Sequence, residues 1–253
     1  MKNGIKRLVP IALIFILWYV CTYLEIWSTY VLPTPMRVWD TLMSMIQSGE
    51  LFVHIGASLY RVIIGFSIAF VFAFLLGIIA GLKPSLTPYY NHIVEFLRNV
   101  PPLSLIPLLI LWVGIGEESK IIIIILASFF PMFLNIKKGF GSCDDKLIEV
   151  GKVFALNAKQ RFMRIILPSA IPDILLGMKV GLGYSWRAII GAEMIAAASG
   201  LGFFILDAQN MSRSDKVIVG IIVIGLLGVI CDKIFTIATR KFTRAGGMKN
   251  SWD

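Results

Sequence analysis

Charged residues are scarce in this chain: of its 253 residues, only 15% are Asp, Glu, Lys or Arg, against about 25% in a typical soluble domain. Four uncharged stretches cover residues 8–24, 62–82, 99–116 and 121–136. Runs of about 17–25 predominantly apolar residues are long enough to cross a bilayer as helices. The sequence therefore excludes a soluble enzyme and predicts an all-α membrane protein, with residues 1–253 forming a single transmembrane domain.

Cysteine and histidine are also rare. The cysteines, Cys21, Cys143 and Cys231, lie far apart, and the two histidines, His54 and His92, stand alone. Neither spacing favours a disulfide or a metal site. The net charge of +9 does not predict binding to nucleic acid, because no basic and aromatic recognition module accompanies it. Membrane proteins collect lysine and arginine in their cytoplasmic loops instead.

Two further absences bear on the kind of membrane protein. The sequence Gly-x-x-x-x-Gly-Lys-[Ser/Thr] of P-loop ATPases is missing, so the chain is not expected to hydrolyse ATP by that route. No internal repeat stands out either, whereas many secondary transporters carry inverted repeats.

The apolar stretches predict about six transmembrane helices, near residues 9–26, 59–82, 93–112, 120–136, 173–197 and 217–237. The first follows three basic residues, as in a signal peptide, but the bulky residues 24–27 offer no cleavage site, so it is expected to be retained. If the amino terminus is cytoplasmic, fifteen lysines and arginines lie inside and four outside. The excess of positive charge inside predicts this orientation.

Residues 137–172 form a basic segment between the fourth and fifth predicted helices. Apolar residues recur there in steps of three and four, at Leu147, Val150, Phe154, Ala158, Phe162 and Ile165. This period predicts two short amphipathic helices. Asn157 is expected to cap the second, with Gln160 as its capping-box partner, and Pro168 is expected to end it. From the residues alone, the segment is either a helix on the membrane surface or a docking element for a soluble partner.

A family resemblance favours docking. Glu149-Val150-Gly151, Ala155 and Ile166-Leu167-Pro168 resemble the "EAA" loop of binding-protein-dependent ABC importer permeases. In that family Glu-Ala-Ala is followed by a glycine six residues after the glutamate and then by Leu-Pro, which here falls at the expected distance. Val150-Gly151 replaces Ala-Ala, and Ala155 replaces the glycine.

The resemblance continues through "LPTPMRVWDTL", "SLYRVIIGFSIAFVFAFLLGIIAGL", "FLRNVPPLSLIPLLILWVGIGEESKI", "ASFFPMFLNIKKGF" and "SWRAIIGAEMIAAASGLGFFI". These segments resemble the nitrate, sulfonate, taurine and bicarbonate branch. The resemblance implies a type I (MetI-like) permease fold in a bacterial or archaeal cytoplasmic membrane. It also implies a non-catalytic homodimer without a cofactor, two ATPase subunits that bind ATP and Mg²⁺, and an extracytoplasmic solute-binding protein.

By the same resemblance, residues 137–172 would be the cytoplasmic loop that couples the permease to the ATPase. The coupling residues would be Glu149, Gly151, Phe154, Ala155, Asn157, Phe162, Leu167 and Pro168. Phe154 and Phe162 are expected either to anchor the loop in the partner's groove or to pack on the protein's own helices.

Polar residues in the third and fifth predicted helices are the candidates for the solute path: Asn99, Ser104, Ser185, Trp186, Arg187 and Glu193. Arg187 is expected either to attract anions in the pore or to bind backbone carbonyls of another helix. Glu193 would form a hydrogen bond near the outer gate. The alternatives to the permease are a secondary transporter and a membrane scaffold subunit.

Overall fold

The computed structural model describes the backbone of residues 2–245 and the side chains of residues 9, 10 and 12–240. Within this range all of the regular secondary structure is helical. The helices are α1 (Lys2–Tyr23), α2 (Pro35–Ser48), α3 (Glu50–Leu82), α4 (Thr87–Asn99), α5 (Ile106–Val113), α6 (Glu117–Gly141), α7 (Asp145–Val153), α8 (Ala158–Arg161), α9 (Leu167–Ala196), α10 (Leu201–Asn210) and α11 (Ser214–Ala245). Short 3₁₀ turns precede α4 and α5, and a π-helical turn joins α8 to α9.

Four continuous stretches among the described residues are long and apolar enough to cross a membrane. They are Glu50–Leu82, Glu117–Gly141, Ala158–Ala196 and Ser214–Arg240, and they contain the second, fourth, fifth and sixth predicted helices. The bent pair of helical segments Pro84–Asn99 and Pro102–Val113 makes a fifth stretch if the two are counted as one span. Ala12–Tyr23 of α1 is a shorter apolar helix.

The third predicted helix is the bent pair, with its two halves at 87°. The bend lies at Pro101 and Pro102, which follow the end of α4 at Asn99. A residue before proline is driven out of the α region, and Val100 and Pro101 accordingly have extended ψ angles of 118° and 123°. The double proline therefore turns a single predicted helix into two segments with a sharp corner.

Close helix packing forms the centre of the fold. A Cβ atom on Gly65 would lie 2.7 Å from Ile124, and one on Gly77 would lie 2.6 Å from Ile136. Small residues allow helix backbones to approach closely in membranes. The order of these contacts shows that α3 and α6 run parallel.

Helix α9 packs on α6 in the opposite direction. Gly139 near the end of α6 faces Ala170 at the start of α9, and Met132 faces Gly177 and Gly181 further along α9. The ends of α3 and α6, the α7–α8 segment and the start of α9 therefore share one end of the bundle, here called the loop end. The starts of α3, α6 and α11 lie at the opposite end, together with α2 and α10.

The amphipathic helix α2 is fixed to that opposite end by a buried carboxylate. The Thr41 hydroxyl donates to Asp215 Oδ2 at 2.8 Å, and Arg213 donates to the same carboxylate. Val38 and Met45 of α2 pack in the same core cluster as Leu201 of α10. Helices α2 and α10 thus pack against the start of α11 at this end of the bundle.

Candidate functional site

The segment at the loop end folds by local signals that the sequence contains. Helix α7 starts at Asp144, whose side chain accepts from the Lys146 backbone N–H. Asn157 Oδ1 accepts from the Gln160 N–H at 2.9 Å, and Gln160 Oε1 accepts from the Asn157 N–H at 2.9 Å. The predicted capping box is therefore confirmed. Helix α7 is a short helix as predicted, whereas the second helix is the start of the continuous helical stretch Ala158–Ala196.

The turn between α7 and α8 contains a strained residue. Ala155 has φ of +52°, in the left-handed region where a Cβ atom costs about 1–2 kcal/mol. This is the position at which the importer family usually has glycine. Gly151, one turn earlier in the chain, is buried, and a Cβ there would lie 2.7 Å from Ile165 Cδ1. Gly151 therefore lets α7 lie against the π-helical turn that contains Ile165.

The expectation that Pro168 ends the second short helix is wrong. The helical path runs from Ala158 to Ala196 without a break, and Pro168 lies in the first turn of α9. Proline cannot donate to the carbonyl four residues earlier. The wider π-helical turn of Phe162–Ile166, closed by the Leu167 N–H on the Phe162 carbonyl, lies at this place and lets the helix continue.

The two phenylalanines of the loop have different environments. Phe162 stacks on Phe140 of α6, with ring centroids 6.0 Å apart and planes at 7°. Phe154 is 74% exposed. Three further exposed apolar side chains precede it on α7: Leu147, Val150 and Val153. We call these four residues the loop ridge.

Two other predicted coupling residues, Leu167 and Glu149, show the same contrast between a side chain packed in the core and an exposed one. Leu167 is half-buried and packs in the core cluster around Phe140. Glu149 is exposed on α7, and no ion pair or hydrogen bond of its side chain occurs within residues 9–240. Its carboxylate is thus available to a partner.

A cavity of about 660 Å³ lies where α4 and α5 bend away from the bundle. The side chains that border it come from the bend and from the middle turns of α6 and α9, among them Arg98, Asn99, Phe130, Pro131, Val180 and Tyr184. We call it the central cavity. Irregular backbone at membrane depth is tolerated where it is buried in protein or lines a water-filled space, so the bend at Pro101 and the cavity belong together.

The structure does not bring all the predicted path residues to this cavity. Asn99 borders it, and its side-chain amide donates to the Glu95 carbonyl at 2.7 Å. Ser104 lies within the bend, where its hydroxyl donates to the Pro101 carbonyl at 2.7 Å. Arg187 is exposed on α9 and lies over the ring of Tyr184, 5.9 Å from the centroid.

Two path candidates lie in protein contacts instead. Ser185 is fully buried, and its hydroxyl has no hydrogen-bond partner within the described part of the chain. Trp186 Nε1 donates to the Ile224 carbonyl at 3.3 Å and so joins α9 to α11.

Glu193 lies near the opposite end, in a buried polar network centred on Arg61. Arg61 Nη1 donates to Glu193 Oε1 at 2.7 Å, and the Ser58 hydroxyl donates to the same carboxylate. Arg61 also donates to both carboxylate oxygens of Glu117, at 2.6 and 2.7 Å, and Lys120 donates to Glu117 at 3.0 Å. The network joins α3, α6 and α9.

The same network holds the turn between α9 and α10. Arg61 Nη1 donates to the Ser199 carbonyl at 2.7 Å, and Glu193 Oε2 accepts from the Gly202 N–H at 3.0 Å. Gly200, with φ of +115°, allows this turn. The sequence analysis did not single out Arg61 or Glu117, although a charge eleven residues inside an apolar helix is itself a signal.

Comparison with known proteins identifies the class. Residues 73–244 match the family described as binding-protein-dependent transport system inner membrane component. The aliphatic sulfonates transport permease protein SsuC of Bacillus subtilis (strain 168) is 37% identical over 248 residues, covering 98% of this chain and 89% of the relative. The taurine transport system permease protein TauC of Escherichia coli (strain K12) is 33% identical, covering 92% and 86%. The nitrate import permease protein NrtB of Synechocystis sp. is 32% identical, covering 90% and 86%.

A solved structure shares the fold. A chain of the MetNI methionine ABC transporter, in an inward-facing conformation, superposes with a TM-score of 0.64 at 16% identity. The match covers 78% of this chain and 98% of that one.

This chain belongs to the family of binding-protein-dependent transport system inner membrane components, the permease subunits of ABC importers. It is a non-catalytic, multi-pass subunit of the inner membrane, it has no cofactor of its own, and ATP is bound by its partner ATPase. The family also implies a complex with an ATPase and a solute-binding protein. The alternatives of a secondary transporter and a scaffold subunit are therefore set aside.

Proposed function

We propose that this permease imports a small oxyanion, namely an organic sulfonate, taurine, nitrate or a similar anion, which a solute-binding protein delivers. The observation that carries the proposal is that three relatives, each similar along nearly the whole chain, are named for aliphatic sulfonates, taurine and nitrate. The exposed basic side chain of Arg187 on α9, which has no carboxylate within salt-bridge distance among residues 12–240, supports an anion as the solute.

We further propose that residues 137–172 are the coupling loop within a single permease domain. The loop ridge, with Phe154 at its end, offers the apolar contact that a partner's groove would bury, since a few side chains buried in pockets of the partner carry most of the binding energy of an interface. Glu149 would pair with a basic residue of the ATPase. Gly151, Ala155, Asn157, Phe162, Leu167 and Pro168 would shape and stiffen the loop.

The loop end would face the cytoplasm, where the ATPase is, and the amino terminus would lie on the same side. The distribution of basic residues supports this orientation, because Lys83, Lys137, Lys138, Lys152 and Arg164 all lie at the loop end, and positive residues collect on the cytoplasmic side. The Arg61 network and Glu193 would then lie at the outer end.

Two copies of the chain would form the pore. Helices α4 and α5, which border the central cavity, expose large apolar side chains, including Phe96 at 70% and Trp112 at 72%. A second copy against this face would cover those side chains and enclose the solute path. The path would pass Asn99, Ser104 and Arg187, and Ser185, Trp186 and Glu193 would set the position of α9.

Uptake by the reconstituted complex tests the proposal. The permease, its ATPase and its binding protein are placed in proteoliposomes with internal ATP, and uptake of labelled ethanesulfonate, taurine and nitrate is measured beside a neutral amino acid. The proposal expects ATP-dependent uptake of at least one oxyanion and none of the neutral solute. Uptake of the neutral solute alone would contradict it.

A further inference from the structure

A further cavity lies between α9 and α11 and shares no lining residue with the central cavity. Its volume is about 400 Å³, and we call it the α9–α11 pocket. Lys179 and Arg187 border it from α9, Asp232 and Lys233 border it from α11, and the buried Val62 of α3 borders it as well. The pocket therefore brings three cations and one carboxylate to the same space.

The carboxylate of the pocket already has a cation beside it. Lys179 Nζ lies 3.5 Å from Asp232 Oδ1, and it donates to the Thr236 hydroxyl at 3.3 Å. Arg187 and Lys233 are exposed, and neither has a carboxylate within salt-bridge distance or a hydrogen-bond partner in the described part of the chain. The pocket thus keeps two positive charges that the described side chains do not neutralise.

The pocket lies within the membrane-spanning part of α11. Residues 217–231 carry no charge, and at 1.5 Å per residue they cover about 22 Å of a hydrocarbon core of about 30 Å. Asp232 and Lys233 follow this run, in the half of α11 nearer to the loop end. A charged side chain at such a depth is kept where it meets protein, water or a ligand. Arg187 and Lys233 are therefore available to water or to a ligand.

Two glycines give the pocket its shape. A Cβ atom on Gly228 would lie 3.1 Å from Trp186 Nε1, so the indole ring packs closely on the backbone of α11, where Nε1 donates to the Ile224 carbonyl. A Cβ atom on Gly183 would meet nothing within 4 Å. The space beside Gly183 is therefore open, and the tryptophan N–H is already used within the protein.

We propose that the α9–α11 pocket binds one tetrahedral oxyanion group, either the sulfonate of a solute or the phosphate of an anionic phospholipid, with Arg187 and Lys233 as its cationic contacts. Arginine presents a planar fork of donors that fits two oxygens of such a group, and the lysine ammonium adds a point charge. A sulfonate and a phosphodiester each carry one negative charge on tetrahedrally arranged oxygens, so the same two cations suit both.

The surroundings admit either source of the oxyanion. Val229, Ile230 and Ile234 of α11 are exposed and would meet the acyl chains of a lipid, and basic pockets between membrane helices bind lipid head groups. Arg187 also belongs to the proposed solute path, so a sulfonate that moves along this path would meet the same site. Binding at the pocket therefore does not depend on the proposed function.

Binding is measured on the complex of the permease and its ATPase, purified in detergent and depleted of lipid. One titration adds ethanesulfonate, with chloride at equal ionic strength as its control. Another adds phosphatidylglycerol, with phosphatidylcholine as its control. A ligand of the folded state raises the unfolding midpoint with its concentration, which gives a dissociation constant. At least one of the two probes is expected to bind more tightly than its control.

Arg187→Gln and Lys233→Gln each remove one cation from the pocket. Each is expected to raise the dissociation constant of the bound probe about fivefold, the upper end of the range for a partly exposed ion pair. Lys83→Gln removes an exposed cation at the loop end, outside the pocket. It is the matched control and should leave the dissociation constant within twofold of wild type.

Asp232→Asn tests the site with both cations in place. It removes the carboxylate that borders the pocket, so the same probe should bind about two- to fivefold more tightly. A purely structural role of these side chains would not produce tighter binding. This variant decides the matter if an Arg187 or Lys233 variant fails to assemble.

The outcomes identify the source of the oxyanion and separate the site from the proposed function. Ethanesulfonate that follows this pattern makes the pocket part of the solute path. Phosphatidylglycerol alone following it makes the pocket a lipid site and removes Arg187 from that path, whereas oxyanion import is decided by the uptake assay above. The site is overturned if neither probe binds more tightly than its control, if Arg187→Gln or Lys233→Gln leaves both dissociation constants within twofold of wild type, or if Asp232→Asn weakens binding.

Discussion

The guanidinium of Arg61 and the carboxylate of Glu193 form a buried ion pair, with Arg61 Nη1 2.7 Å from Glu193 Oε1 and side chains that are 3% and 0% exposed. Arg61 is the twelfth residue of α3, and Glu193 is near the end of α9. Because Arg61 also binds Glu117 at the start of α6, this one side chain connects three membrane helices.

Removing one partner of this pair should lower the free energy of unfolding more than removing both. Arg61→Gln leaves the Glu193 carboxylate buried without a cation, and breaking a buried pair in this way costs about 3–5 kcal/mol. The double variant Arg61→Gln with Glu193→Gln should recover part of that loss. Chemical unfolding of the detergent-solubilised protein measures both, and Arg164→Gln at the exposed loop end is the control. Equal losses in Arg61→Gln and the double variant would contradict the cost assigned to a Glu193 carboxylate that is buried without its cation.

Glycine at position 155 should stabilise the loop. Ala155 has φ of +52°, and glycine adopts this region without the steric cost of a Cβ atom. Ala155→Gly is expected to raise the free energy of unfolding by about 1 kcal/mol. Slower hydrogen exchange of the Leu156 and Asn157 amides would be the local measure.

Helix α8 supplies the control for that experiment. Ala158 begins α8 with ordinary helical geometry, so Ala158→Gly should destabilise the same loop by about 0.5–1 kcal/mol. A loss of stability in both variants would contradict the strain assigned to Ala155.

The contact between α3 and α6 should not tolerate a larger residue. In Gly77→Ala the new Cβ would lie 2.6 Å from Ile136 Cγ2 and 2.9 Å from Ile136 Cβ. Overpacking of this kind costs about 1–3 kcal/mol, and it should appear as a lower midpoint in thermal unfolding.

A glycine of α9 gives the matched comparison. A Cβ on Gly183 would meet nothing within 4 Å, and alanine is the better helix former. Gly183→Ala should therefore leave the midpoint unchanged or raise it. If Gly77→Ala also left the midpoint unchanged or raised it, this would contradict the close packing of α3 against α6.

Local chemistry explains which features the sequence could predict. The capping box depends on two residues three positions apart, Asn157 and Gln160, and the bend that divides the third predicted helix depends on prolines 101 and 102, whose effect the single predicted helix did not include. Each of these features acts on the backbone beside it. The different exposure of Phe154 and Phe162 was left open, because it depends on which face of the loop meets Phe140.

The Arg61 network could not be predicted in this way. Arg61 is 56 positions from Glu117 and 132 from Glu193, so its partners depend on the rotation and depth of three helices at once. The continuation of the helix through Pro168 was likewise missed, because the π-helical turn before it is a property of the folded chain.

The central claim is that the loop ridge transmits ATP hydrolysis to the membrane helices. Phe154→Ala removes an exposed aromatic of the ridge, and Phe52→Ala removes an exposed phenylalanine from the opposite end of the bundle, with 74% and 59% of the side chains exposed. Neither change should unfold the protein, because neither side chain is in the core.

The most direct test is ATP-dependent uptake by these two variants in proteoliposomes that contain the ATPase and the binding protein. The account predicts that Phe154→Ala lowers uptake at least tenfold and weakens co-purification of the ATPase, a loss in the range of about 1–2 kcal/mol expected of an interface anchor, while Phe52→Ala resembles wild type. Full uptake by Phe154→Ala, or wild-type uptake that continues without ATP, would contradict the account.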